Sequence, residues 1–382
     1  MKKKYLPEFS FVDTFSGLRN AADELEKESV IAVDLEADSM FHYNEKVCLL
    51  QFSTRHRNFL LDPLSINDLS PLSDIFSCPD IEKIFHGADY DIRSLYRDFG
   101  FTVNSLFDTH IAARFLGLRE TGLSSLLEEN FGINIEKKYQ KRDWSERPLP
   151  SAMLSYAVLD SFFLIRLSML LKEELRKKGR LFCVEEECRL LCDVRPAPPN
   201  NDPLFLNFKG ARSLSPRNLA ILEALLQLRK EIAIERDLPL FKIMGNACIL
   251  EIVEQKPSHP NALEKIKGLN KRNVNSIGRS ILQRIKEAMD CPEENLPVLT
   301  REKATPTPPK VSRGIKYLKA WRLQRACKET LDPSVILTNA QIHSIASEYP
   351  WNNLRLENIQ GIREWQIRLF GEEIYKVLTS ID

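Results

Sequence analysis

Apolar residues along this chain follow two periods in turn. Residues 29–36, Ser-Val-Ile-Ala-Val-Asp-Leu-Glu, make a nearly unbroken apolar run that ends in acids and predicts a buried strand. Residues 47–53 and 58–62 predict two more strands, closing an antiparallel meander over 30–62. Residues 83–86 predict a further strand, and residues 87–91 open a helix that runs through Phe99. A long helix is expected from about Pro150 to Lys178. From residue 205 onward the apolar spacing is helical throughout.

Proline divides this pattern. Pro196, Pro198, Pro199 and Pro203 prevent residues 193–204 from holding a regular helix, because proline lacks the amide donor and clashes with the preceding turn. Residues 291–312, with Thr-Pro-Thr-Pro-Pro at 305–309, form a second spacer. Three domains are therefore expected, at 1–192, 205–290 and 313–382.

The last two are copies of each other. An ungapped offset of 93 residues places Leu225 on Leu318, Arg229 on Arg322, Asn246-Ala247 on Asn339-Ala340 and Ile249 on Ile342. It also places Leu263 on Leu356, Gly268 on Gly361 and Gly278 on Gly371. The shared positions are apolar residues at helical spacing plus glycines where helices end or turn, and each copy is expected to bury its own core. Gly268-Leu269, Gly278 and their counterparts Gly361-Ile362 and Phe370-Gly371 resemble the helicase-and-RNase-D C-terminal (HRDC) family. That resemblance implies small all-α modules that bind nucleic acid or dock on protein.

Composition narrows the class. With 43% hydrophobic and 28% charged residues, 14 Gly and 21 Pro in 382 residues, the chain reads as a folded soluble protein. No apolar run approaches the ~20 residues of a membrane span. The lysines at 2–4 are followed by Pro7, Glu8 and Asp13 where a signal peptide needs an apolar stretch, so neither membrane nor secretion is expected. Eight cysteines are spread from Cys48 to Cys327, and the cluster Cys183, Cys188, Cys192 lacks zinc-ligand spacing. Free thiols and a cytoplasmic location are expected.

Charge is uneven. Residues 1–203 hold 26 basic and 33 acidic residues, a net of −7, whereas 204–290 hold 15 and 9, a net of +6. The third segment, 313–382, holds 10 and 8. An acidic module followed by a basic one suits a first part that collects cations and a second that meets polyanions. The weaker excess of the third segment leans toward packing on the first, and Tyr317 and Trp321 are expected in a core or interface.

The acids of the first segment carry the candidate chemistry. Period-two geometry puts Asp34 and Glu36 on one face of their strand, where they repel unless a cation sits between them. Asp89 is a natural N-cap for the next helix, and Asp91 could project toward the strand ends; spacing alone does not choose between them. Tyr156 and Asp160, four apart, share one helix face, and Asp160 lies in an otherwise apolar run where a carboxylate is costly unless paired or metal-bound.

Asp-x-Glu, an Asp near a helix start and Tyr-x3-Asp, in that order, resemble the DEDD 3′–5′ exonuclease superfamily in its tyrosine branch. The runs His-Gly-Ala-Asp-Tyr-Asp at 86–91, Phe-Asp-Thr-His-Ile-Ala-Ala-Arg at 107–114 and Asp-Trp-Ser-Glu-Arg-Pro-Leu at 143–149 are similar to the ribonuclease D family. The resemblance implies a ribonuclease H-like α/β domain, a mixed sheet flanked by helices, followed by two all-α HRDC domains. It implies Asp34, Glu36, Asp91 and Asp160 as metal ligands, Tyr156 as the water-orienting residue, and Asp108 as a helix-start residue. His86 is expected to be a structural hydrogen-bonder.

The implied activity is hydrolysis of RNA from its 3′ end to nucleoside 5′-monophosphates, with two Mg2+ or Mn2+ ions held by hard oxygen ligands. Precursor tRNA is the substrate that the resemblance suggests, for a monomer that grips RNA through Lys267, Lys271, Arg272 and Arg279 of the first helical copy. The alternatives are a DNA exonuclease of the same superfamily and a catalytically silent nucleic-acid scaffold.

Overall fold

The computed structural model describes residues 7–135, 137–198, 200–269, 271–299 and 307–381. The lysines at 2–4, Pro199 and residues 300–306 of the second spacer, all used in the sequence reading, lie outside the described residues.

Among the described residues six strands form one mixed sheet: β1 (Ser10–Val12), β2 (Val30–Ala37), β3 (Val47–Ser53), β4 (Asn58–Leu61), β5 (Glu82–Phe85) and β6 (Leu106–Asp108). Their order is β1-β4-β3-β2-β5-β6. The expected meander is present: β2 pairs antiparallel with β3, and β3 with β4. Parallel neighbours flank it, with β1 beside β4, β5 beside β2 and β6 beside β5. Every residue of β3 is buried, so it reads as a central strand.

Helices α1 (Phe15–Leu25), α2 (Pro71–Ser77), α3 (Asp89–Phe99), α4 (Thr109–Leu116) and α5 (Leu123–Phe131) connect and cover the strands. The helix expected over 150–178 is two helices, α6 (Ser151–Phe162) and α7 (Leu164–Lys177), which break at Phe163. The stretch Ser151–Lys177 does reach the length and apolarity of a membrane span, contrary to the sequence reading. Of its most apolar 18 residues 56% are buried inside the protein, and α6 packs on β2, β3 and β4. Helix α8 (Leu181–Leu191) follows.

The duplication is reproduced with one difference: where the first copy has the short helix Pro260–Leu263, the second has the 3-10 turns Trp351–Asn353 and Leu356–Asn358. The first copy has α9 (Pro216–Arg236), α10 (Leu240–Ile243), α11 (Asn246–Gln255), α12 (Pro260–Leu263) and α13 (Lys271–Asp290). The second has α14 (Pro309–Glu329), α15 (Pro333–Ile336), α16 (Asn339–Ser347) and α17 (Glu364–Thr379). Equivalent hydrogen bonds survive: Arg229 donates to the Met244 carbonyl (3.2 Å), and Arg322 to the Leu337 carbonyl (2.7 Å). Gly268 and Gly361 both hold positive φ, +93° and +87°, which a side chain would strain. Helix α14 begins at Pro309, inside the expected spacer, because proline is favoured in the first turn, where its missing amide costs nothing.

Two corrections concern domain organisation. The described residues divide into two compact units, one within 1–37, 47–196 and 305–382, the other within 38–46 and 197–304. The second helical copy therefore does not bury a separate core. Its Leu318, Ile342, Trp351 and Phe370 belong to one hydrophobic cluster with Leu116 and Cys183 of the α/β part. The first copy has its own cluster, built on Leu222, Leu225, Ile249, Ile252 and Ile281. The hairpin 38–46 also belongs to that other unit: His42 pairs with Asp237 (2.7 Å), and Lys242 lies over the Phe41 ring.

The second copy docks on α4 and α8 through polar and apolar contacts. Glu186 accepts from the amides of Glu364 and Trp365 (2.8 Å each), so a carboxylate of α8 caps the start of α17. Glu187 accepts from the Trp365 indole (2.9 Å), and Arg180 pairs with Glu329 (2.7 Å). The Phe115 and Trp365 rings meet edge-on at 5.1 Å. A Cβ on Gly117 would sit 1.9 Å from the Thr330 carbonyl oxygen, so only glycine permits this approach. Trp321 packs on Phe370 and donates to Glu373 (2.9 Å), as expected of a core residue, whereas Tyr317 is 49% exposed and is not one.

Candidate active site

The carboxylates converge where β2 meets α6. Asp34 and Glu36, two apart on β2, face the same side, and Asp160 projects to them from α6. Ligand atoms of these three residues lie within 4.8 Å of one another. Asp91, in the first turn of α3, stands outside that triangle, yet its charge acts on Glu36, and that of Asp34 acts on it. A cleft of about 360 Å³ opens over them, lined also by His86, Leu123 and Tyr156.

Two bolts fix α6 to the sheet. Gln51 pairs across the ladder with Asp34 and is fully buried. With its amide oriented to satisfy its neighbours, its nitrogen donates to the Ala157 carbonyl (2.6 Å) and to Asp34 Oδ2 (3.2 Å). One pleat on, the hydroxyls of Ser53 and Ser161 hydrogen-bond at 2.8 Å. The sequence reading passed over Gln51 and Ser53, although a glutamine inside the apolar run 47–53 was a signal that it satisfies something buried.

Asp91, not Asp89, points inward. Asp91 is 8% exposed, while Asp89 turns outward to Arg93 (2.8 Å) and caps nothing. Among the described residues no side chain caps α3, whose N-cap is Ala88. Asp108 accepts from the amides of Gly87 (3.0 Å) and Ala88 (2.8 Å) as well as His110 (2.7 Å) and Ile111 (3.2 Å). One buried carboxylate thus starts α4, as expected, and fixes the turn that aims Asp91.

His86 is a hydrogen-bonder, as expected. Thr109 spends its hydroxyl proton on the Phe85 carbonyl (2.9 Å), so His86 Nδ1 donates to Thr109 Oγ1 (2.9 Å). Burial, with His110 beside it, pushes the imidazole down to about 4 against the pull of Asp108, so it is neutral at pH 7.

The segment 143–149 acts as a clamp. Arg147 makes a two-pronged contact with Asp62 (2.7 Å to each oxygen) and donates to the Cys48 and Trp144 carbonyls (2.7 Å each). Trp144 is thereby fully buried 6.3 Å from the Tyr156 ring, with Tyr139 at 5.6 Å on Tyr156 as well.

Electrostatics show an unmet demand for positive charge. Burial raises Asp34 to about 7, against a hydrogen bond from Leu35. Burial, then repulsion from Asp34, Asp160 and Asp91, raises Glu36 to about 10. Asp91 and Asp160 are pushed well above the ordinary range by burial and by Asp34. Tyr156 donates to Asp160, and burial with the surrounding carboxylates keeps its phenol protonated. Four acids that resist ionising together, all with hard oxygen donors, fit a divalent cation such as Mg2+ or Mn2+.

Lys267, Lys271, Arg272 and Arg279 are exposed in the other unit, the last three on α13. None of the eight cysteines forms a disulfide.

Comparison with known proteins agrees with this geometry. Residues 9–176 match a 3′–5′ exonuclease family, and residues 218–285 and 314–378 each match the HRDC domain. The ribonuclease D of Bartonella henselae is 27% identical over 366 residues, covering 95% of this chain and 88% of the relative. The crystal structure of Escherichia coli RNase D, described as an exoribonuclease involved in structured RNA processing, superposes with a TM-score of 0.73 at 25% identity, covering 98% of this chain and 99% of that one. The catalytic core of RRP6 from Trypanosoma brucei is 32% identical, with a TM-score of 0.67 over 76% of this chain and 81% of that chain.

Proposed function

We propose a mechanism for a chain that belongs to the ribonuclease D family of 3′–5′ exonucleases and is itself a 3′–5′ exoribonuclease. The observation that carries it is the convergence of Asp34, Glu36 and Asp160 within 4.8 Å, with Asp91 beside them. Asp34, Glu36 and Asp160, with Asp91 beside them, would hold the two divalent cations. Bound there, the cations supply Lewis-acid activation of a water and neutralise charge on the departing 3′ oxygen.

The protein's own residues set the geometry of an in-line attack. Tyr156 stays a neutral phenol, so it orients the attacking water by hydrogen bonding and does not act as a phenolate base. Its ring packs against those of Tyr139 and Trp144, and its hydroxyl is tied to Asp160 one turn away. Hydrolysis on this plan leaves the phosphate on the released nucleotide, giving nucleoside 5′-monophosphates.

The exposed cations of the first helical copy, Lys267, Lys271, Arg272 and Arg279, support its reading as the grip on the RNA body. A separate docking module suits a structured RNA with a short single-stranded 3′ tail, precursor tRNA being the candidate, acted on by a monomer in the cytoplasm. Digestion of 5′-labelled precursor tRNA should give a ladder of single-nucleotide steps that EDTA abolishes. A matched DNA strand should be cut more slowly. Equal digestion of the DNA would favour the DNA-exonuclease alternative, and no digestion of either would leave the scaffold reading.

A further inference from the structure

A second opening adjoins the cleft. Where the nuclease fold meets the second helical copy, a groove of about 710 Å³ is lined by His110, Arg114, Arg119 and Thr121 on one side and by Cys327 and Leu331 on the other. Its volume is about twice that of the cleft, about 360 Å³. Both belong to one compact unit.

The two openings touch at two points. The His110 ring, in the groove, stands edge-on to His86, in the cleft, with centroids 5.6 Å apart. Thr121, in the groove, is followed directly by Gly122 and Leu123, which line the cleft. His110 Nδ1 donates to the Thr121 carbonyl (3.2 Å), which ties the neck together.

The groove also has the charge that the cleft lacks. Arg114 and Arg119 are both exposed. Arg114 reaches Ser334 (3.3 Å) and flanks Asp332. No hydrogen-bond or ion-pair partner of Arg119 is found among the described residues. At the neck His86 is neutral, so these two arginines supply the positive charge along the path. Leu118 and Leu331 add apolar wall against which unpaired bases can lie.

We infer that this groove is the track of the single-stranded RNA upstream of the scissile bond, with Arg119 and Arg114 holding its phosphates and the second helical copy forming its far wall. This rests on the exoribonuclease reading and deepens it. The second copy, docked on the nuclease by Glu186, Glu187 and Arg180, then acts on substrate without being a separate grip.

The test compares a ten-nucleotide single-stranded RNA with a dinucleotide too short to leave the cleft. In the double variant Arg114→Ala/Arg119→Ala, KM for the ten-mer should rise about tenfold or more at moderate salt with kcat unchanged. The slope of log KM on log salt should fall by about 1.4, or ~0.7 for each lost phosphate contact. Kinetics on the dinucleotide should match wild type. As a check that needs no variant, the ten-mer bound in calcium should slow alkylation of Cys327, read by peptide mass, while the dinucleotide should not. An unchanged KM and salt slope for the ten-mer, equal losses on both substrates, or unprotected Cys327 would each overturn the inference. Failure of the wild type to digest either RNA would instead overturn the exoribonuclease reading.

Discussion

Gln51 stands directly across the β2–β3 ladder from Asp34, and its side-chain nitrogen bridges Asp34 Oδ2 to the Ala157 carbonyl of α6. A single amide thus joins the strand that carries Asp34 and Glu36 to the helix that carries Tyr156 and Asp160. Partners that orient metal ligands typically change metal affinity by ~10–100-fold when lost. Gln51→Leu should raise the Mg2+ concentration for half-maximal activity at least about tenfold. The Ser53–Ser161 bond remains to hold α6 in place. A magnesium titration that overlays the wild type would remove Gln51 from this role.

The Arg147–Asp62 pair holds the clamp over Tyr156. Burial alone would raise the Asp62 carboxyl, but hydrogen bonds from Arg147 and Ser65 outweigh it and hold it below the usual range. Arg147→Met leaves Asp62, 2% exposed, without its partner. The expected cost is about 3 kcal/mol, the low end for a buried pair because Arg147 is itself 25% exposed. Urea unfolding reads this directly, and a loss below about 1 kcal/mol would mean the clamp is held by other contacts.

Tyr156→Phe should slow turnover roughly 100-fold, the scale of a misplaced nucleophile, while metal affinity stays near wild type. Single-turnover rates beside manganese binding by calorimetry separate the two. An unchanged rate would discard water positioning by Tyr156, and lost metal binding would make it a support for Asp160 instead.

Metal removal should reverse the pH response of stability. Unfolded Asp and Glu titrate near ~4, whereas folded Asp34 keeps its proton to about 7 and Glu36 to about 10. Between those values the native state binds more protons than the unfolded one, so the metal-free protein loses stability as pH rises. The Tm in EDTA should fall from pH 5 to pH 9, and the gain on adding Mn2+ should grow over the same range. A Tm in EDTA that rises with pH contradicts the cluster's burial.

Much of this site was legible because its first half is local. Alternation along 29–36 placed Asp34 and Glu36 on one face, and helical spacing did the same for Tyr156 and Asp160. What escaped was tertiary. N-cap preference favoured Asp89, but Asp108 reaches back from the end of β6 to bond the Gly87 and Ala88 amides, so Asp89 is free to pair with Arg93. Periodicity ran α6 and α7 together, since the break at Phe163 has no proline or glycine to announce it. The docking of the second helical copy was foreshadowed only by its weak charge, because the caps from Glu186 to α17 join residues 178 and 179 positions apart.

The most direct test of the account is mononucleotide release from a 5′-labelled RNA with a single-stranded 3′ tail, by Asp34→Asn and Asp160→Asn, each checked for RNA binding in calcium. Both variants should bind the RNA and release nothing. Release at a rate near wild type by either one would contradict a reaction carried out at this cluster of carboxylates.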